Sequence, residues 1–289
     1  MELVQLRSIT KKLTMGALGA FLLIFIPIHM GLNLCILRAD GGQWYRAACH
    51  FMGTNYIVKI FEVVLFAIIL FHIILGIILA IQNKLARPIA YQVPHKTKTH
   101  FGSKYMIWTG IIILCFLILH FTNFYFAKVG LVQGKYVANF EKVDKAFQEK
   151  AQKMQAGKLS EEESVAIQNQ YQAIQSIPPD KISKDYKYLV NLSKNDVKTY
   201  CGKDFKEYEP DFYQMANELF KNNMYCLIYL LVFVVFGIHL YHGVASVFQT
   251  FGLNASENCN KNIDRFSLLY AIIIPIGFAL VPLFVMFYR

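Results

Sequence analysis

This chain is poor in charge, and poorest in acid. Only 17% of its 289 residues are charged, 19 acids against 29 bases. It has no Gly-rich nucleotide or flavin fingerprint, which excludes a dinucleotide cradle on this chain. Its six cysteines show no metal-site spacing, which excludes a cysteine-held iron–sulfur cluster or a structural zinc. What the chain has instead is apolar length. Hydrophobic residues make up 55% of it, too many for an ordinary soluble domain.

Five apolar runs are long enough to cross a bilayer: roughly 13–37, 57–82, 105–127, 224–248 and 267–288. The first is too long for a signal-peptide core, and no small-x-small site precedes Arg38 and Asp40. It is expected to remain as a helix. The runs predict an all-α integral membrane protein, a bundle of five transmembrane helices. Residues 1–127 carry helices one to three, and 224–289 carry helices four and five. Between them, 128–223 forms a polar, largely helical extramembrane insertion.

The net charge of +10 does not point to nucleic acid, because of where the bases sit. Arg7, Lys11 and Lys12 precede the first span. Lys84, Arg87, Lys96, Lys98 and Lys104 crowd the second connection, and Lys261 and Arg265 the fourth. These loops share one side, which the positive-inside rule makes cytoplasmic. The N-terminus is then cytoplasmic, and the C-terminus and the insertion lie outside.

Within the insertion, residues 139–156 read as one helix ending near Gly157. Ser160 with Glu163 is a capping-box signature for a second, aided by Glu161 and Glu162 and stopped by Pro178 and Pro179. Residues 180–212 read as mixed loop and short helix. The hairpin is either plain solvated structure or a docking surface or lid. Cys115 and Cys226 read as apolar packing residues. Cys49 and Cys201 fall on the outer side, where an oxidising compartment would let them pair. Trp44 and Tyr45 read as interfacial anchors.

The informative residues are four histidines, one in each of four spans: His29, His72, His120 and His239. An ionisable side chain in a span is costly without a partner. Helical rise sorts the four by depth. His29 and His120 lie about 10–12 Å below the outer surface, and His72 and His239 about 22 Å below it. Two levels of two histidines suit two stacked bis-histidine haems. His72 with Gly76, and His239 with Gly243, form H-x-x-x-G, where the glycine on the same face leaves room for a flat macrocycle. Asn33 and Asn123 stand beside the other two histidines. His242 follows His239 on nearly the same face, so either could be the ligand. His239, His242, Ser246 and Gln249 form one polar stripe toward the bundle interior. His50, His95 and His100 read as loop residues. Glu62 is the only carboxylate within the apolar bodies of the spans. It is a candidate for proton exchange or, equally, a structural carboxylate.

Several stretches resemble one family: His29-Met-Gly-Leu-Asn33, Glu62 with His72-Ile-Ile-Leu-Gly76, and Asn83-Lys-Leu-Ala-Arg87. Ser103-Lys104-Tyr105-Met106 with Gly110, His120-Phe121, and His239-Leu-Tyr-His242-Gly243 with Ser246, Phe248-Gln249 and Gly252 complete the set. The family is the cytochrome b membrane anchor of succinate:quinone oxidoreductases, in its five-helix, two-haem branch. The resemblance covers all five spans but not residues 130–212. Lys104 stands where the family pattern has arginine, and loses the bidentate fork.

The resemblance implies two haem b groups, the outer on His29 and His120 and the inner on His72 and His239. It implies contacts to them from Asn33, Gly76, Arg87, Ser103, Lys104, His242, Gly243 and Ser246. Quinone, with menaquinone the suitable one, would be the membrane substrate. A flavoprotein subunit and an iron–sulfur subunit would sit on the cytoplasmic face of a bacterial inner membrane, with a dimer of heterotrimers possible. The alternatives are a haem b subunit for a hydrogenase or formate dehydrogenase, and a haem-free transporter or scaffold.

Overall fold

The computed structural model describes residues 8–86, 101–184, 187–254 and 256–289. In chain order the helices and strands begin with α1 Ser8–Leu34, α2 Gln43–Thr54, α3 Tyr56–Ala86 and α4 Phe101–His120. A π-helical turn, Phe121–Tyr125, follows α4 and leads into the short α5 Phe126–Lys128. Next come β1 Tyr136–Asn139, α6 Phe140–Gln155, α7 Glu161–Gln175, β2 Tyr188–Leu192 and the single turn α8 Lys194–Asp196. The chain ends with β3 Tyr208–Pro210, α9 Phe212–Lys221, α10 Asn223–Thr250 and α11 Glu257–Tyr288.

Five of these helices are long and apolar enough to cross a membrane: Ile9–Leu37, Tyr56–Ala86, Tyr105–Lys128, Asn223–Thr250 and Glu257–Tyr288. They match the five apolar runs. The last begins ten residues earlier than the run that revealed it, because Ser256 caps its N-terminus by accepting from the Cys259 amide at 3.1 Å. The polar stretch Lys261–Arg265 is therefore helix, and Glu257 and Asp264 join Glu62 as carboxylates on spanning helices. Tyr241 donates to Asp264 at 2.6 Å, joining α10 to α11.

The chain divides into two compact units. The first, residues 1–37, 51–117 and 222–289, contains the spanning helices. Here α10 packs along α11, and α1 packs against α3, α10 and α11. On α11, Ile263, Ser267, Ile274, Val281 and Val285 recur at helical spacing and are buried. Two close approaches need glycine. A Cβ on Gly237 would meet the Ala271 carbonyl at 2.8 Å, and one on Gly277 would collide with Met30. By contrast, α3 has no buried residue in its whole length. A helix apolar all round is suited to lipid rather than water. Cys226 is buried, as a packing residue should be, but Cys115 points outward.

The second unit, residues 38–50 and 118–221, is larger than the 128–223 insertion. It holds a three-stranded antiparallel sheet in the order β2-β1-β3, with Tyr136 facing Leu192 on one side and Pro210 on the other. Sequence reading expected loop and short helix over 180–212, because strands of three to five residues carry too little alternation to detect. Tyr136, Ala138, Val143, Leu189, Leu192, Val197 and Cys201 form its core. Asn139 caps α6, and the Ser160–Glu163 capping box opens α7 with both reciprocal bonds. Cys201 is a free buried thiol rather than half of a disulfide, and burial pushes its pKa up to about 12.

An ion pair ties residues 38–50 into this unit. Arg46 grips Asp211 with Nε at 2.9 Å and Nη2 at 3.0 Å, and donates a third bond to the Gly41 carbonyl at 2.9 Å. Gly42 adopts φ +86°, and any side chain there would strike the Tyr213 ring. Tyr45 is buried with its ring 6.4 Å from that of Tyr213, which corrects its assignment as an interfacial anchor. Trp44 alone of that pair is exposed.

Candidate functional site

The four intramembrane histidines keep their matched positions on the folded helices. His72 and His239 each lie sixteen residues beyond the first residue of their helices, Tyr56 and Asn223. His29 and His120 each lie eight residues before the ends of their spans, Leu37 and Lys128.

His239 has the best-defined surroundings. Thr109 is the one buried residue among the described side chains of α4, and its hydroxyl lies 3.1 Å from His239 Nδ1. The same hydroxyl donates to the Met106 carbonyl at 3.0 Å. A hydroxyl has one proton. With that proton on Met106, the oxygen accepts from the ring, so His239 carries its hydrogen on Nδ1 and presents the Nε2 lone pair. This is the usual arrangement of a metal-binding histidine, oriented by an acceptor behind it. Gly110, next on α4, stands 3.8 Å from His239 Cε1 when a Cβ is placed on it.

His239 is within electrostatic range of His72 and of His242. His72 Nδ1 is buried and has no hydrogen-bond partner among the described residues. A buried nitrogen left this way calls for a further partner, whether water, ion or ligand. The two glycines one turn beyond these histidines open space at the same places. A Cβ on Gly243 would meet nothing within 4 Å, and one on Gly76 only the Met15 methyl at 3.8 Å. On the polar stripe of α10, His242 and Ser246 are partly buried, but Gln249 is exposed.

His29 sits in an aromatic setting. Phe25 stacks on it at 5.3 Å, and Phe278 of α11 lies 5.7 Å away. Phe278 continues through Phe233 at 5.7 Å to Phe116 at 6.0 Å. Asn33 donates to the His29 carbonyl at 2.8 Å and only approaches the ring, at 3.5 Å. It therefore supports the backbone of α1 more than the imidazole.

His120, in the other unit, is described by itself. It is the last residue of α4, directly before the π-helical turn, and it packs on Phe124 at 5.2 Å. The wider π turn displaces Asn123 from the position that regular i+3 spacing assigned to it. π-bulges inside spanning helices occur often at functional sites. Nothing in the sequence announced this one.

The chain matches no protein-family model, no curated protein and no solved structure. The chemistry of the site therefore rests on its own residues. Among the described residues, no three His, Cys, Asp or Glu side chains converge into a metal cage. A bis-histidine haem asks for less: two imidazoles and a slot, the macrocycle supplying the remaining ligands. The Thr109 contact at His239 Nδ1, which turns Nε2 outward, the unpaired Nδ1 of His72 and the open space at Gly243 are compatible with that demand.

Of the other residues singled out in the sequence, Glu62 is half-buried on α3. Ser103 and Lys104 lie on the first turn of α4. Arg87, with Lys98, His95 and His100, falls outside the described residues. His50 bonds Glu209 at 2.7 Å within the second unit. Sequence reading missed Thr109, because a threonine in an apolar run gives no sign of which helix it will face.

Proposed function

We propose that this chain is the di-haem cytochrome b membrane anchor of a succinate dehydrogenase or fumarate reductase complex. The carrying observation is the set of four intramembrane histidines, paired by helical rise, with the Thr109 hydroxyl 3.1 Å from His239 Nδ1. On this reading His72 and His239 hold the inner haem, and His29 and His120 the outer. When bound, the haems supply one-electron carriers across the low-dielectric slab. The chain's own part is to present Nε2 atoms, to line the slots with Gly76, Gly243 and aromatic rings, and to exclude water. Glu62 holds or releases a proton for quinone on the outer side. Bases in the cytoplasmic loops support an N-inside orientation in a bacterial inner membrane. The 128–223 insertion then lies outside. The flavoprotein and iron–sulfur subunits are the expected partners on the cytoplasmic face.

Purified from its native membrane, the protein is expected to show a Soret band and two haem b per chain by pyridine haemochrome, together with a flavoprotein and an iron–sulfur subunit. A folded, colourless protein overturns the reading. A haem protein that arrives with a hydrogenase or formate dehydrogenase subunit overturns only the choice of complex.

Thr109→Val keeps the shape and removes the acceptor behind His239. Losing such a support typically weakens metal binding by about 10–100-fold. The expected result is selective loss of the inner haem during detergent exchange, with the outer haem retained. Equal retention of both would mean that Thr109 does not position His239.

A further inference from the structure

Prolines sit inside two of the spanning helices: Pro27 in α1, and Pro275 and Pro282 in α11. Proline has no amide hydrogen, so each deprives the carbonyl four residues earlier of its helical donor. For Pro27 that carbonyl belongs to Leu23. Within hydrocarbon no bulk water replaces the lost donor, and a freed carbonyl is satisfied from a neighbouring helix or side chain.

The Leu23 carbonyl has such a neighbour. The Tyr270 hydroxyl of α11 donates to the Leu23 oxygen at 2.5 Å. Tyr270 lies near the middle of its span, about 20 Å or more from either end at 1.5 Å per residue. A hydroxyl at that depth needs an acceptor on a helix. Ser267, one turn earlier on α11, finds its acceptor on its own helix, at the Ile263 carbonyl. Tyr270 instead crosses to α1, and it meets the carbonyl that Pro27 frees. The Ala271 carbonyl, freed in the same way by Pro275, faces the close-packed Gly237 backbone.

The same seam reaches the histidine. Two turns further along both helices, a Cβ on Gly277 would collide with Met30, and the Phe278 ring lies 5.7 Å from that of His29. Leu23 to Met30 and Tyr270 to Gly277 are equal steps, so α1 and α11 run side by side in register. Pro27 stands two residues before His29, and the course that α1 takes at the proline sets where the imidazole points. The span α11 carries no histidine of its own.

We infer that Tyr270 is a positioning residue for His29. Its hydroxyl replaces the amide that Pro27 lacks, fixes the course of α1 at the proline, and so sets the angle at which His29 enters its site. The bond itself stands without haem, whereas its effect on a haem ligand rests on the di-haem reading.

Tyr270→Phe removes the hydroxyl and keeps the ring, and Pro27→Ala restores the amide. In the purified complex, Tyr270→Phe is expected to speed loss of the outer haem several-fold during detergent exchange. The oxidised-to-reduced ratio of that haem at a fixed potential should also change several-fold, with the inner haem unaltered. In the Pro27→Ala background the same substitution should do little, because the Leu23 carbonyl then has its own amide. Equal effects in both backgrounds would mean that the hydroxyl does not serve that carbonyl. Equal effects on both haems would mean that Tyr270 supports the bundle and not His29. Either result overturns the inference, as does a Tyr270→Phe protein indistinguishable from the natural one. If Pro27→Ala does not assemble, the contrast between the two haems still decides. A colourless natural protein overturns the di-haem reading instead. Thermal unfolding of the natural chain, the two single variants and the double variant then judges the bond, and strictly additive losses refute it.

Discussion

Asp211→Ala is expected to destabilise the unit containing residues 38–50 and 118–221 by about 3–5 kcal/mol, the usual cost of leaving a buried charge alone. Asp211 is fully buried and Arg46 is only 13% exposed. Besides the two bonds from Arg46, the carboxylate accepts from the Gln214 amide at 3.2 Å and the Asn191 amide at 3.4 Å. Asn191 sits at φ +54°, a left-handed conformation that needs such support. Removing the acid strands the guanidinium over the Tyr213 ring, 4.7 Å away, and leaves two backbone donors unmet. Arg46→Ala should cost a similar amount for the opposite charge. Arg46→Met combined with Asp211→Leu should recover part of the loss, because no isolated charge remains while the Gln214 and Asn191 amides stay unmet. Thermal unfolding in detergent, read with limited proteolysis of the insertion, measures all three. Single variants as stable as the natural chain would mean that the pair is solvated like a surface bridge, worth about 0–1 kcal/mol.

His239→Ala is expected to abolish one haem site, whereas His242→Ala leaves both filled. The two histidines are three residues apart on one helix, and sequence alone leaves either as the ligand. The expectation for His239 comes from Thr109, whose oxygen lies 3.1 Å from the Nδ1 of that ring. The space one turn beyond His239, at Gly243, is open. His72→Ala should give the same spectrum as His239→Ala, and His120→Ala the complementary one. In a redox titration each variant then loses one of two components and keeps the other unchanged. If His242→Ala removes a component and His239→Ala does not, the ligand assignment reverses. If His120→Ala and His239→Ala remove the same component, the depth pairing fails.

The five spans were legible because hydropathy over twenty residues is a strong, local signal. The capping box at Ser160 and Glu163 was legible for the same reason: its partners are three residues apart. What escaped was either short or distant. β1, β2 and β3 are too brief for alternation to register. The twelve residues of α2 sit between two louder apolar runs. Arg46 and Asp211 are separated by 165 residues, and Thr109 and His239 by 130. Such pairs leave no trace in spacing. The start of α11 was misplaced because hydropathy marks where a helix becomes apolar, not where Ser256 begins it. The histidines themselves could be counted and ranked by depth, but which nitrogen each presents depends on a neighbour that only the fold supplies.

The unburied length of α3 also has a consequence for biosynthesis. α10 and α11 touch backbone to backbone at Gly237, so this hairpin can close unaided as soon as both halves are in the membrane. α3 enters long before and packs against α1, which is already made. His72 must therefore wait for His239 while the whole insertion is translated. At about 5–20 residues per second, that delay is on the order of 10 s. Throughout it, the proposed inner site exists only as half a ligand set facing lipid.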